Sequence, residues 1–428
     1  MDTENNKNEK QNKVTSFVVG SARRASDAYE QILADGDPVF EEPIHKEAPE
    51  KKQRVLVRGG VDVYFLIIVI ALSLFGLIMA FSASSYFSYR ETGDSMYYIR
   101  RHVSFVFIAA CVGVPMIMFM RPKLWRVFGI AAYIGSVILL IAVLFIGMTG
   151  KGAQRWIDLG FITVQPSEIA KMGLIMMLAY VMSKHERQIE KNQRFAGQFR
   201  YGVLYPGMAI ALICGLVVLE KHLSGLIIIG LLGLFIMFIG GTDKRWMLLI
   251  IGVGLVAVLV VLMFSGYAQE RVNTWLNIEQ ADPQGSAWQN LQGLYAIGSG
   301  GIFGVGLGNS RQKYGYVAEP QNDFIFTIVC EELGFIGALA VIVLFLLLLY
   351  RGYKIAAKAP DKFCSLVVYG LTTKAALQAL LNIAVVTNSM PNTGISLPFF
   401  SSGGTALIMQ IIEMSIILSI SRFSYVEK

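Results

Sequence analysis

Two stretches of the chain hold residue types that could carry out chemistry. The longer is the polar interval Gly266 to Gly337, which contains Arg271, Asp282, Gln289, a glycine-rich run and Asp323. Aspartates are able to move protons, although Asp282 in ADPQG also reads as an Asp-Pro turn and Asp323 as a helix cap. The shorter stretch is TGKGAQRWIDLGFITVQPSEIAK. Pro166 suits the first turn of a helix, and Glu168 just behind it suits the helix dipole. Ser167 and Lys171 are spaced i, i+4 and Glu168 and Lys171 i, i+3, so Lys171 shares a face with both. An ionisable residue one turn inside a membrane must pair or line a wet cavity. Glu168 and Lys171 are therefore either a structural pair or a cationic wall for an anionic ligand at a helix N-terminus.

The elements that must position these residues are apolar. The chain has 428 residues, 54% hydrophobic and 16% charged, with mean hydropathy +0.55, outside the range of soluble domains. It reads as an all-α polytopic membrane protein. Apolar runs near 61–81, 102–120, 125–147, 166–183, 202–219, 223–240, 246–265, 323–350, 363–387 and 403–421 give about ten transmembrane helices, each near the length of about 20 residues that crosses the hydrocarbon. The net charge of +7 comes largely from loops between these runs, where it orients the chain rather than binding nucleic acid. Basic residues follow spans 2, 4, 6 and 8 and precede span 1, so both termini are expected to be cytoplasmic. The large loop between spans 7 and 8 then faces outward. Residues 1–58 read as a disordered cytoplasmic tail, with an amphipathic helix over Val14 to Leu33 as the alternative. No cleaved leader is expected. Residues 59–422 form the membrane domain and 423–428 a short cytoplasmic tail. The four cysteines, Cys111, Cys214, Cys330 and Cys364, lie in apolar runs without metal or disulfide spacing and are expected to be buried hydrophobes.

Four further features of the sequence bear on a pocket. The first outer loop, Ser82 to Arg101, is polar and aromatic without a motif. The run AIGSGGIFGVGLGNS follows no strand of a βαβ unit, so its glycines are read as allowing close backbone approach or a re-entrant turn, not a nucleotide site. Of Glu331 and Glu332, at least one must face a polar interior. The last outer loop, TNSMPNTGISLPFFSSGGTA, is uncharged and irregular and is expected to wall a cavity.

From Val61 to Arg422 the chain resembles the SEDS proteins (shape, elongation, division and sporulation), which include FtsW, RodA and SpoVE. The resemblance rests on QRWIDLGFITVQPSEIAK, DPQGSAWQNLQGLYAIGSGGIFGVGLGNSRQKYGY, NDFIFTIVCEELG and PNTGISLPFFSSGGTALI, in that order. Trp288, Ala318, Pro320, Gln321 and Ser402 depart from the usual residues of these blocks.

The resemblance implies a peptidoglycan glycosyltransferase of the cytoplasmic membrane that polymerises lipid II on the outer face, FtsW-like and active in division, with RodA-like elongation and SpoVE-like sporulation as alternatives. It implies Asp282 as the catalytic carboxylate, taking a proton from the acceptor in an inverting transfer. Arg155, Trp156, Gln165, Ser167, Glu168, Lys171, Arg271, Gln289, Asp323 and Glu331 are the candidate substrate-binding residues. The expected partners are lipid II, the nascent glycan strand, a class B penicillin-binding protein and divisome proteins. A divalent cation, Mg²⁺ or Mn²⁺, is the one cofactor considered. Two other readings are a lipid II flippase, which intramembrane Lys171, Glu331 and Lys374 would also suit, and a non-catalytic scaffold.

Overall fold

The computed structural model describes residues 54–150, 153–160, 163–189, 195–278 and 287–427. Asp282 and the tail up to residue 53 lie outside the described residues. A strand, β1 (Arg54–Arg58), leads into helix α1 (Val63–Thr92), whose first turn is capped by Asp62 accepting from the Phe65 N–H at 2.9 Å. The sequence reading ends this span near residue 81. The helix runs on because Ser82 to Thr92 contain no glycine or proline, and it stops where Gly93 adopts a left-handed φ of 74°. Most of the first outer loop is therefore helix.

Helices α2 (Tyr97–Phe119) and α3 (Pro122–Ile146) follow, then a small antiparallel sheet of β2 (Met148–Gly150), β3 (Ala153–Asp158) and β4 (Thr163–Val164). Helix α4 (Pro166–Lys184) leads through short helical turns and a π-helical turn at Arg200–Leu204 into α5 (Tyr205–Leu219). Then come α6 (Leu223–Gly240), α7 (Lys244–Phe264), α8 (Gly266–Leu276), α9 (Trp288–Gly300), α10 (Ile325–Ala357), α11 (Lys362–Val386), α12 (Gly404–Ser421) and strand β5 (Phe423–Glu427).

Among the described residues, eight helical segments are long and apolar enough to cross a membrane. Helices α4 and α7, of 19 and 21 residues, coincide with the other two apolar runs. The protein is a polytopic helical membrane protein. The short strands were not expected from composition. One pair has a topological consequence: β1 pairs antiparallel with β5 from Arg54↔Glu427 to Arg58↔Phe423. Both ends of the helical part thus lie on the same side, which requires an even number of crossings between them. Ion pairing of Arg351 with Asp62 at 2.8 Å and donation from Arg422 to the Ile117 and Met118 carbonyls fix the ribbon's base to the helices.

Burial is uneven. Helix α4 is enclosed by α3, α5, α6 and α11, and from Ala170 to Met176 every residue is buried. Helix α7 packs only lightly on α6 and α8 and exposes Leu248, Val253 and Met263, at 70%, 63% and 70%. Its apolar surface is what lipid solvates at no cost. Cys330 and Cys364 are buried, but Cys111 is exposed on α2, where the apolar run faces outward instead of inward.

Helix α10 is broken at Gly334, with φ 68° and ψ −163°, a conformation open essentially to glycine alone. The break leaves two carbonyls and two N–H groups without helical partners. The glycine-rich loop after α9 supplies them: Val305 and Gly306 donate to the Glu331 and Glu332 carbonyls at 2.9 and 3.0 Å, and Phe335 and Ile336 donate to Gly301 and Ile302 at 2.9 and 3.2 Å. A β-carbon on Gly304 would sit 2.2 Å from the Glu332 carbonyl oxygen. The glycines therefore serve close backbone approach, as the sequence suggests.

Candidate functional site

The N-terminus of α4 is where sequence and structure agree most closely. Gln165 is its extended N-cap residue, Pro166 begins the first turn, and the Gln165 amide donates to Ser167 Oγ at 3.1 Å. Ser167, Glu168 and Lys171 are buried at 0, 5 and 2% exposure. Lys171 Nζ donates to Glu168 Oε1 at 2.6 Å, so the i, i+3 pair expected from spacing is formed.

The pair has neighbours that spacing along one helix cannot reveal. Lys374 of α11 lies 3.6 Å from Glu168 Oε2 and donates to Glu413 Oε1 of α12 at 2.5 Å. Two lysines and two glutamates from three helices thus alternate in sign and sum to zero. Only such balance makes four buried charges tolerable, since each alone would cost several kcal/mol or more. The signal for Lys374 and Glu413 was in the sequence: one cation and one anion stand alone in apolar runs 363–387 and 403–421, and each needs a partner of the other sign.

Beside Glu168 lies a cavity of about 10 Å³, room for one water, also lined by Gln378, Gln410, Ser396 and Phe399. The last outer loop is thus a wall of this pocket, as its composition suggests. It is also a hub. Ser224 donates to the Thr393 carbonyl at 2.5 Å, Trp275 to Asn388 at 2.9 Å, Arg271 to the Asn392 carbonyl, and Asn392 to Asn290 at 2.9 Å. Asn382 donates to the Asp323 and Ile395 carbonyls, both at 2.7 Å, and Ser401 to Asn322 at 2.7 Å. Helices α6, α8, α9 and the start of α10 are all tied to this one loop. Arg271 and Asn290 flank segment 279–286 in the sequence, and both are bonded to Asn392.

The remaining candidates divide. Arg155 and Trp156 lie on β3, and Arg155 Nη2 donates to the Lys221 carbonyl at 2.5 Å, over the hairpin between α5 and α6. Beneath it are buried Glu220 and His222. Burial pushes the Glu220 carboxyl up to about 8, with the Arg155 charge opposing. Burial also pushes His222 down to about 3, helped by the charges of Arg155 and Lys171. Gln289 donates to the Ala318 carbonyl at 2.8 Å. Asp323 precedes the Phe324 N-cap of α10, which has no side-chain cap, so the capping reading does not hold. Glu331 binds the loop after the glycine run: it accepts from Ser310 Oγ at 2.5 Å and Arg311 N–H at 2.9 Å. Its neighbour Glu332 accepts from Ser82 at 2.7 Å and Lys313 at 2.9 Å. These bonds make Glu331 an anchor for the fold.

Among the described residues, no group of three His, Cys, Asp or Glu side chains could hold a metal ion.

The fold and this site together define a multi-pass membrane protein with a charge-balanced cluster buried at one end of its most enclosed helix. A family model described as cell cycle protein, that of FtsW, RodA and SpoVE, matches residues 62–426. The chain belongs to this family. Over 84% of its length it is 36% identical to a probable peptidoglycan glycosyltransferase FtsW of Trichlorobacter lovleyi, covering 93% of that protein. It is 35% identical to the stage V sporulation protein E of Bacillus subtilis, covering 85% of this chain and 97% of the other. Among solved structures, a chain of a peptidoglycan synthase complex, described as coordinating polymerization and crosslinking, superposes with TM-score 0.69 at 24% identity over 85% of this chain and 98% of that one. The rod shape determining protein RodA of Thermus thermophilus gives 0.62 at 24% identity, over 85% and 97%.

Proposed function

We propose that this protein is a peptidoglycan glycosyltransferase that polymerises lipid II into glycan strands at the outer face of the bacterial cytoplasmic membrane, in division as FtsW-like proteins do. The observation that carries this reading is the Glu168–Lys171 pair, buried at a helix N-terminus against the last outer loop. Ten spans with both termini cytoplasmic fit the even number of crossings that the β1–β5 ribbon requires and put that loop outside.

The leaving group is a lipid diphosphate, whose charge grows as the glycosidic bond breaks and must be met by fixed cations. Lys171 on α4 and Arg155 on β3, which packs against α4, are the candidate cations. The acceptor 4-hydroxyl loses its proton as it attacks, and Asp282 is the general base. A donor linked α and a product linked β require one displacement with inversion, one base and no covalent sugar intermediate. Among the described residues no three His, Cys, Asp or Glu side chains gather to hold Mg²⁺ or Mn²⁺; a divalent cation would enter on the substrate diphosphate and neutralise part of its charge. The partner is a class B penicillin-binding protein, with which polymerisation and cross-linking proceed in one assembly.

The test uses purified protein and lipid II. Asp282→Asn should abolish polymer formation while leaving expression, thermal midpoint and capture of the transpeptidase unchanged. Full activity of that variant removes the assignment. Polymer formed from lipid II supplied outside sealed vesicles separates a polymerase from a flippase, which needs translocation first.

A further inference from the structure

Lys374 and Glu413 are buried at 1 and 0% exposure, on two helices that do not carry the Glu168–Lys171 pair. We propose that they are positioning residues: Lys374 holds the second oxygen of Glu168 so that the first stays bonded to Lys171. The activity part of this inference rests on the function proposed above.

Three observations support it. Glu168 is shared between two ammonium groups, with Lys171 at 2.6 Å on Oε1 and Lys374 at 3.6 Å on Oε2. Lys374 is itself held at 2.5 Å by Glu413, so its place is set from α12 as well as by Glu168. Among the described residues, Glu413 Oε2 and the Gln410 amide nitrogen are buried without hydrogen-bond partners. A group evolved only to join α11 to α12 would not need them, because an apolar pair of similar volume holds helices at least as well as a buried ion pair. What an apolar pair cannot do is orient a carboxylate. With Oε2 released, the Glu168 side chain gains staggered rotamers that take it off Lys171, and the cation meant for the diphosphate loses its fixed place. Misplacement of this kind, about 1 Å at a site of charge development, costs about 100-fold in rate.

Two variants test this in the full-length protein. Lys374→Met with Glu413→Leu removes the pair without stranding a charge. It should keep the wild-type thermal midpoint, lose about tenfold or more in kcat for lipid II polymerisation, and let a water-soluble amine-acylating reagent label Lys171 several times faster, read by mass spectrometry. The exchange Lys374→Glu with Glu413→Lys keeps a pair but sets a carboxylate against Glu168, and should be at least as inactive; if the apolar pair does not fold, the exchange decides alone. Wild-type turnover in either variant, or unchanged labelling of Lys171 in the apolar one, overturns the inference. A wild-type protein that makes no polymer instead removes the functional reading, and the labelling still decides whether Lys374 positions the pair.

Discussion

The Glu331–Glu332 network and the cluster of Glu168, Lys171, Lys374 and Glu413 are both sealed from solvent, yet they are built from different partners. In the first, acid oxygens accept from the N–H groups of Ser310, Arg311 and Gln312, from two serine hydroxyls and from Lys313. Every acid oxygen is satisfied by the chain it anchors. In the second, among the described residues, hydrogen bonds to these four side chains run only among themselves, one Glu413 oxygen has no partner, and a water-sized cavity lies alongside. A buried charge saturated by backbone holds a loop in place, whereas one that depends on other side chains, with capacity left over, is available to a ligand.

The comparison breaks most readily at Lys171. Lys171→Met should lower polymerisation by about 100- to 1000-fold, as loss of one group that stabilises developing charge does. It also leaves two buried carboxylates on one ammonium, which lowers the thermal midpoint, so turnover is read per folded molecule. Near-normal turnover per folded molecule would mean that both regions are structural. The opposite pattern is expected at Lys313, whose ammonium also donates to the Gly308 carbonyl at 2.7 Å. Lys313→Met strands Glu332 and should cost about 3–5 kcal/mol, read by thermal unfolding, with near-normal activity in the molecules that remain folded. Gly334→Ala should cost about 1–3 kcal/mol from its φ alone, and more because the new β-carbon would lie 2.4 Å from Gly304 N and Ile302 O.

A further effect, at Glu220, depends on pH. Its carboxyl stands at about 8 in the folded chain against 4.5 without burial, so between those values the folded state binds more protons than the unfolded. Stability therefore falls as pH rises through this window. Glu220→Gln cannot ionise: its thermal midpoint should exceed that of the wild type above about pH 8 and match it near pH 4. An advantage that does not change with pH would show that Glu220 finds a cation on ionising.

The helices were legible because length and apolarity decide them. The Pro166 start, the Glu168–Lys171 pair and the pocket wall near Ser396 followed from local rules of capping, spacing and backbone satisfaction. Lys374 is singled out by its depth in the membrane, but Glu413 and the pairing of the two are not, because the partners lie on different helices and no spacing rule reaches across a bundle. Glu331 was assigned to substrate on its depth alone, but its oxygens are taken by a loop some twenty residues earlier in the chain, which composition does not disclose. The strands at the two ends were missed since five-residue segments next to long helices give too little periodicity to read.

The pairing of Arg54 with Glu427 sets the two outward-running chain ends side by side, and Arg58 with Phe423 closes the far end against the helices. A pull applied between those ends would open the ribbon like a zipper, one pair of bonds after another, because antiparallel bonds lie across the strands. Such a joint yields at low force. Helices α1 and α12 behind it would carry such a load only once those bonds had parted.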